Sequence, residues 1–155
     1  MKRGQKESLR LWLELARITL PMSREMDKML RNRFGQSLVR FDLLSQLARH
    51  ADGLPVRQLA GLLLASTSGN ISTLLDRMIA ENLVERRPAE ADRRVICVHL
   101  TPKGRALFND MAVVHAEWIA RQLATVPASE QRATIAMLSD LRANLAGPPA
   151  RKLAS

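Results

Sequence analysis

The chain has 155 residues, a formal net charge of +9, 46% apolar side chains and 25% charged ones. This composition excludes wholesale disorder and suits one domain with an added dimerisation element, while the basic excess favours a polyanionic partner, nucleic acid before an anionic membrane surface. No apolar run is long enough to span a bilayer, and the basic start lacks a signal-peptide core, so we expect a cytoplasmic protein with no membrane partner.

Two helices are predicted in the first third of the chain. Apolar residues recur at three- and four-residue steps over residues 8–33, which indicates a long amphipathic helix. Pro21 should kink this helix or divide it, and Gly35 is a suitable residue to end it. Ser37 can cap a second helix, and Asp52-Gly53 marks its stop.

Two shorter helices and a hairpin are predicted next. A short helix over residues 56–64 is followed by a turn of small and hydroxyl residues and then by a fourth helix over residues 68–81. The period then changes, and residues 83–87 and 94–100 indicate two strands. Residues 88–93 form the polar loop between them, with a basic end.

The last part of the chain predicts two more helices. Thr101 is a good N-cap and Pro102 suits the first helical position, so a fifth helix should run to about residue 124. A break around Pro127 precedes a sixth helix that starts near Ser129, with an apolar stripe predicted to face inward at Ile135, Leu138, Leu141 and Leu145. The Gly-Pro-Pro that follows should end the ordered chain and leave residues 147–155 as a loose tail.

Two short helices followed by a hairpin predict a winged helix-turn-helix, so the expected fold class is mostly α with a small β wing. The fourth helix has a polar outer face that suits the major groove of duplex DNA, where base edges carry a distinctive donor and acceptor code. Gly69 would let the backbone approach a phosphate near the helix N-terminus. Taken alone, an ordinary solvated helix start explains these residues equally well. The outward candidates are Ser68, Asn70, Ser72, Thr73 and Arg77.

The hairpin loop adds a second basic element. Arg93 and Arg94 follow Asp92, and a guanidinium at this place can enter a narrow minor groove, where the negative potential is enhanced. A solvated charge cluster is the alternative reading. Asp76 on the fourth helix should pair with Arg93 or Arg94 and set the angle of the wing, and Asp92 is a second wing-orienting candidate.

Four segments are more specific than any of these features alone. They are LDRM at 75–78, LVERRP at 83–88, DRR at 92–94 and LTPKG at 100–104. In this order and spacing they resemble the MarR family of bacterial winged-helix transcription regulators, and the likeness covers nearly the full chain.

The resemblance implies one domain, with residues 38–100 as the DNA-binding lobe and residues 8–33 and 102–146 as helices that join two copies on a pseudopalindromic site. It implies that Arg93 enters the minor groove. It also implies a regulator, expected to be a repressor, that a small molecule releases from DNA, with an aromatic acid or its CoA thioester as the candidate effector and no cofactor. Core packing is the alternative role for the aromatic effector candidates. The candidate effector-binding residues are Trp12, Arg17, Arg40, Phe41 and Trp118.

Other classes of protein fit less well. A sequence-tolerant architectural protein would bind mainly through Lys and Arg, unlike the varied polar face of the fourth helix, although charge alone supports it. Single-strand binders stack bases on aromatic rings, and the chain has none between Phe41 and Phe108. The histidines at positions 50, 99 and 115 have no metal-ligand spacing, so we expect neither a metal site nor catalysis. The lone Cys97, on a predicted strand, should behave as a small hydrophobe.

Overall fold

The computed structural model describes residues 3–64, 71–89 and 92–145. The chain divides into two compact units, Met1–His115 and Ala116–Ser155. Among the described helices, none is both long and apolar enough to cross a membrane. In chain order the described elements are α1 (Arg3–Phe34), α2 (Leu38–Ala48), β1 (Leu54–Pro55), α3 (Val56–Leu62), α4 (Ile71–Ala80), β2 (Val84–Pro88), β3 (Ile96–Leu100), α5 (Pro102–Gln122) and α6 (Ala128–Leu145).

Helix α1 is one continuous helix with Pro21 inside it, so of the two predicted effects of this proline, a kink or a division, the division does not occur. A proline removes a single backbone hydrogen bond, and the helical turns on both sides continue. Gly35 ends the helix as predicted: its φ is +67°, which glycine adopts without a steric penalty, and its N–H donates to the carbonyl of Arg31 at 2.9 Å.

Two side chains accept hydrogen bonds from backbone N–H groups in the first turn of helix α2. The Ser37 side chain accepts from the N–H of Arg40 at 3.3 Å, which confirms the predicted N-cap. Asp27 on α1 accepts a second orphan N–H, that of Leu38, at 2.8 Å. Helix α2 ends at Ala48, four residues before the predicted Asp52-Gly53 stop.

The core of the first unit surrounds α2. Leu43, Leu44 and Leu47 on this helix are fully buried, which places apolar neighbours on more than one of its faces. Burial of this many large side chains provides the main driving force for folding of the unit. The other fully buried large side chains are Leu30, Leu59, Leu75, Met78, Val84, Val98 and Met111.

The sheet has three antiparallel strands in the order β1-β3-β2. Strands β2 and β3 form the predicted hairpin, with Val84 opposite Leu100. Strand β1 was not predicted, because two residues, one of them a proline, carry no alternating pattern. It pairs Leu54 with Val98 and so joins the hairpin to the helices.

Helix α4 ends in a left-handed residue, Asn82, whose φ is +58°. The N–H of Asn82 donates to the carbonyl of Ile79, and the N–H of Leu83 donates to that of Met78, both at 2.9 Å. These two bonds form a Schellman motif, and the buried side chains of Leu83 and Met78 supply its apolar contact. The direction of the chain from α4 into β2 is therefore fixed locally.

The second unit contains the end of α5 and all of α6. Gln131 donates from its side-chain amide to the carbonyls of Val126 at 2.9 Å and Leu123 at 3.4 Å, which holds the turn between the two helices. The apolar stripe predicted to face inward on α6 is exposed at Ile135, Leu141 and Leu145. None of the eighteen described residues of α6 is buried, so the stripe is largely uncovered by the described residues.

We expect Gly104→Ala to destabilise the fold. A Cβ at this position would lie 1.9 Å from the backbone oxygen of Leu83, which cannot move without disturbing the end of α4. The free energy of unfolding, measured by urea titration, should fall by about 3 kcal/mol. Gly61→Ala is the control, because a Cβ there meets no atom within 4 Å and α3 should gain at most about 1 kcal/mol. Equal effects of the two substitutions would contradict the predicted clash.

We expect Asp27→Asn to make the fold less sensitive to acid. Burial alone would raise the pKa of Asp27, but the hydrogen bond and charge of Arg31, with the N–H of Leu38, outweigh it and lower the pKa below its ordinary value. The carboxylate thus stabilises the fold at neutral pH, and that contribution is lost as the pH falls through the lowered pKa.

Urea unfolding at a series of pH values tests this expectation. Asp27→Asn should be less stable than the parent near pH 7, and the difference should shrink below about pH 4. Asp110→Asn changes an exposed carboxylate on α5 and should alter the free energy of unfolding by less than about 0.5 kcal/mol. A constant difference between parent and Asp27→Asn across the pH range would show that the carboxylate charge is not involved.

Candidate nucleic-acid interface

Helix α4 has one buried apolar face and one exposed polar face. Leu75 and Met78 are fully buried, whereas Ser72, Asp76 and Arg77 are exposed. Ser72 and Asp76 are four residues apart and therefore lie on one face of the helix. This exposed polar face can present both hydrogen-bond donors and acceptors to a groove of duplex DNA.

The remaining candidates of the predicted recognition helix are less informative. Thr73 is half-buried. Ser68, Gly69 and Asn70 lie outside the residues that the structure describes, as does the predicted turn before them.

Asp76 connects α4 to the wing, but through a different arginine from the predicted one. Its Oδ1 lies 3.0 Å from Nη2 of Arg86 on β2. The pairing of Asp76 with Arg93 or Arg94 is therefore wrong: β2 follows α4 directly, whereas those two arginines lie at the far end of the hairpin. Both side chains of the Asp76–Arg86 pair are exposed, so the pair adds little stability.

Asp92 organises the end of the wing. Its Oδ1 accepts from the N–H of Arg94 at 3.0 Å, and its carbonyl accepts from the N–H of Val95 at 2.9 Å. An aspartate that bonds the backbone two residues on forms a local turn. This turn leaves Arg93 and Arg94 exposed, and neither forms an ion pair with another described residue.

Sequence reasoning missed the residues that hold the C-terminal end of α4. Arg40 on α2 lies with Nη2 2.6 Å from Oε1 of Glu81. Lys103 donates from Nζ to the carbonyl of Glu81 at 2.9 Å, and the Thr101 hydroxyl donates to that of Asn82 at 2.6 Å. The N-cap role predicted for Thr101 is also present, since its oxygen accepts from the N–H of Gly104 at 3.0 Å.

A buried acid holds the chain just before residues 65–70, which the structure does not describe. Asp42 on α2 accepts from the N–H of Leu64 at 2.6 Å, and Gln46 donates to the carbonyl of Leu62 at 3.3 Å. Asp42 is buried among leucines, where an unbonded carboxylate would be costly. In the sequence, Asp42 is a single acidic residue among apolar ones, and this pattern could have indicated a buried acid that binds backbone.

The five effector candidates have different surroundings. Trp12 exposes 62% of its surface, and Arg17 pairs with Glu14 on the same helix. Arg40 is already engaged by Glu81. Within the described part of the first unit, no hydrogen bond, ion pair or ring contact joins Trp12 or Arg17 to Arg40 or Phe41. Trp118 is half-buried in the second unit.

Phe41 packs in an aromatic cluster between α2 and α5. Its ring centroid lies 5.8 Å from that of Phe108 and 4.7 Å from that of His115. Burial lowers the pKa of His115, so its imidazole is neutral at physiological pH. Core packing is thus the observed role of Phe41. Cys97 is buried on β3, as a small hydrophobe should be.

Short helices packed at the end of α2, an exposed polar helix and a two-stranded wing with a basic end together define a winged helix-turn-helix protein. The sequence profile described as MarR family matches residues 34–95, which span this arrangement.

The chain also resembles individual regulators over most of its length. It is 28% identical over 138 residues to the HTH-type transcriptional regulator MhqR of Bacillus subtilis (strain 168), covering 89% of this chain and 93% of that protein. Over 105 residues it is 30% identical to the regulator PecS of Dickeya dadantii (strain 3937), covering 66% of this chain and 62% of PecS. The crystal structure of a MarR family regulator from Silicibacter pomeroyi matches with a TM-score of 0.79 and 28% identity, over 94% of this chain and 99% of that one. The protein belongs to the MarR family of DNA-binding transcriptional regulators.

Proposed function

We propose that the protein is a sequence-specific repressor that binds duplex DNA as a homodimer on a pseudopalindromic operator. In this proposal α4 enters the major groove, and Arg93 on the wing enters the adjacent minor groove. The observation that supports it best is the exposed polar face of α4, linked by the Asp76–Arg86 pair to a wing whose Arg93 and Arg94 are exposed.

The charge of the chain supports a DNA partner, and the chemistry of α4 supports sequence reading. A net charge of +9 attracts any polyanion and does not discriminate between sequences. Serine and arginine side chains on a groove-facing helix bond base edges as well as phosphates, which provides discrimination. A Staphylococcus aureus MepR structure solved with DNA shares the fold at a TM-score of 0.71 and 22% identity, so it supports the docking mode at the level of fold.

The proposal of a homodimer rests on apolar surface that one chain leaves uncovered. Exposed apolar side chains of this size on two helices are unusual for a monomer, and a second copy of the chain would bury them by symmetry. Two lobes so joined would meet major grooves about 34–36 Å apart. The exposed residues are Leu9, Leu11, Trp12, Leu13, Ile18 and Leu20 on α1, and Ile135, Met137, Leu141 and Leu145 on α6.

We propose further that a small molecule releases the protein from DNA, with an aromatic acid or its CoA thioester as the candidate. Rhodococcus jostii CouR, solved with p-coumaroyl-CoA, has the same fold at a TM-score of 0.74 and 21% identity. Trp12, Arg17 and Trp118 remain proposed effector contacts. Arg40 and Phe41 would have to leave their present partners to contact a ligand.

We expect Arg93→Ala to weaken DNA binding without unfolding the protein. The probe is a duplex that the parent protein selects from a random pool, assayed by mobility shift at several salt concentrations. Losing one exposed guanidinium should weaken binding about tenfold and reduce the slope of log affinity against log salt by about one.

Arg24→Ala is the matched control, because it removes an exposed arginine of α1, outside the winged lobe. It should change the affinity much less. If Arg93→Ala and the parent bind the selected duplex equally well, the wing assignment is wrong. If the parent binds selected and random duplexes alike, the protein is a sequence-tolerant architectural protein instead.

The dimer is tested by the molar mass in solution. Ile135 is 62% exposed in the single chain, so Ile135→Glu should leave the first unit folded, but it should place two carboxylates in the shared interface and yield monomers in light scattering. Leu64→Glu makes the same change at a side chain that is 93% exposed in the other unit, and it should remain dimeric. A dimeric Ile135→Glu variant would show that α6 is not part of the interface.

A further inference from the structure

The C-terminal end of α4 is held from two elements at once. From α5, Lys103 and Thr101 donate to the carbonyls of Glu81 and Asn82. From α2, Arg40 binds the side chain of Glu81. The contacts from α5 reach backbone atoms, whereas the contact from α2 reaches a side chain and is the one that a substitution can remove without altering the α5 contacts.

We infer that Arg40 is a positioning residue for sequence recognition: through Glu81 it fixes the direction in which α4 presents its polar face to DNA, without touching DNA itself. This inference rests on the proposed function, because it assumes that α4 is the helix that reads the duplex.

The geometry of Arg40 suits a rigid connection. Its Nη1 donates to Oε1 of Gln36 at 2.7 Å and its Nη2 to Oε1 of Glu81 at 2.6 Å, so its planar fork is held at both ends. Gln36 is itself buried and lies at the start of α2, which anchors the fork in the core. Only 13% of the Arg40 side chain is exposed, so solvent competes weakly for its bond to Gln36, whereas 44% of the Glu81 side chain is exposed and solvent can reach that end of the pair.

The Arg40–Glu81 pair is not arranged for the greatest stability. The Nε of Arg40 is buried and has no hydrogen-bond partner among the described residues. A buried guanidinium with an unsatisfied donor carries a desolvation cost that an apolar side chain would avoid. A gain in orientation explains the presence of a charged pair here better than a gain in stability does.

Because Glu81 lies at one end of α4, a small rotation there displaces the residues proposed to face DNA at the other end. Glu81 follows the last residue of α4, and Ser72 lies nine residues before it, about 13 Å along the helix axis. A rotation of about 10° about the Glu81 end would displace Ser72 by about 2 Å. Such a displacement exceeds the tolerance of a hydrogen bond to a base edge, whereas contacts to phosphates can adapt.

The variant Glu81→Gln distinguishes a positioning role from an effect of net charge, because the two predict opposite changes in DNA affinity. Removing one carboxylate raises the net charge from +9 to +10, and this should tighten binding to every duplex. Loss of positioning should instead weaken binding to the selected duplex alone. The quantity to measure is therefore the ratio of affinities for selected and random duplexes at fixed salt.

The first experiment compares Glu81→Gln with Asp110→Asn, an exposed carboxylate of α5 that makes no ion pair with another described residue. We expect Glu81→Gln to lower the affinity ratio about tenfold, which equals about 1.4 kcal/mol, with random-duplex affinity unchanged or higher. Asp110→Asn should leave the ratio at the parental value. An unchanged ratio for Glu81→Gln would overturn the inference.

Two further variants separate positioning from folding. Arg40→Glu faces Glu81 with a like charge and should lose discrimination, while the exchanged pair Arg40→Glu with Glu81→Arg should recover at least half of the lost ratio. If Arg40→Glu does not fold, Arg40→Lys keeps the charge but lacks the fork, and it should lower the ratio about threefold with an unchanged thermal midpoint. An exchanged pair that is no better than Arg40→Glu, or an Arg40→Lys with the parental ratio, would refute the positioning role. A parent protein that selects no sequence would instead refute the proposed function.

Discussion

The junction at Leu83 is the constraint on which the winged lobe depends. The carbonyl of Leu83 accepts from the N–H of Thr101 at 3.2 Å, and it lies so close to Gly104 that no side chain fits there. Three elements meet at this point: α4 has just ended, β2 is about to begin, and the first turn of α5 starts beside it. A shift of this carbonyl would move α4, the wing and α5 together.

The features that the sequence predicted are those with local causes. Gly35 and Ser37 form hydrogen bonds with residues within four positions of themselves, so their roles at helix ends could be predicted from the local sequence. The Leu83–Leu100 hairpin could be predicted too, because alternating apolar residues and a loop of turn residues indicate it. The Arg40–Glu81 pair joins residues 41 positions apart and could not, since nothing in the sequence distinguishes these charges from solvated ones. The same reason explains the wrong partner for Asp76: the hairpin carries four arginines, and the sequence does not show which of them lies beside Asp76 in the fold.

The two units differ in how many apolar side chains they bury within a single chain. The first unit has a closed core around α2, whereas α6 in the second unit buries no side chain. A helix with an apolar stripe and no partner gains little free energy from folding alone, because the ordering entropy has no burial to offset it. Stability of the second unit should therefore depend on protein concentration, as it does when folding and association are linked.

Two polar residues of helix α2, Arg40 and Asp42, hold the chain at the end of α4 and at Leu64. Arg40 binds Glu81 at the end of α4, and Asp42 accepts from the backbone N–H of Leu64. Both side chains are largely removed from solvent, where hydrogen bonds are stronger and unpaired groups are costly. Any rotation of α2 about its axis must then move both Leu64 and the C-terminal end of α4. Since Phe41 lies between these two residues and packs against Phe108 and His115 of α5, the α2–α5 contact and the orientation of α4 are mechanically coupled.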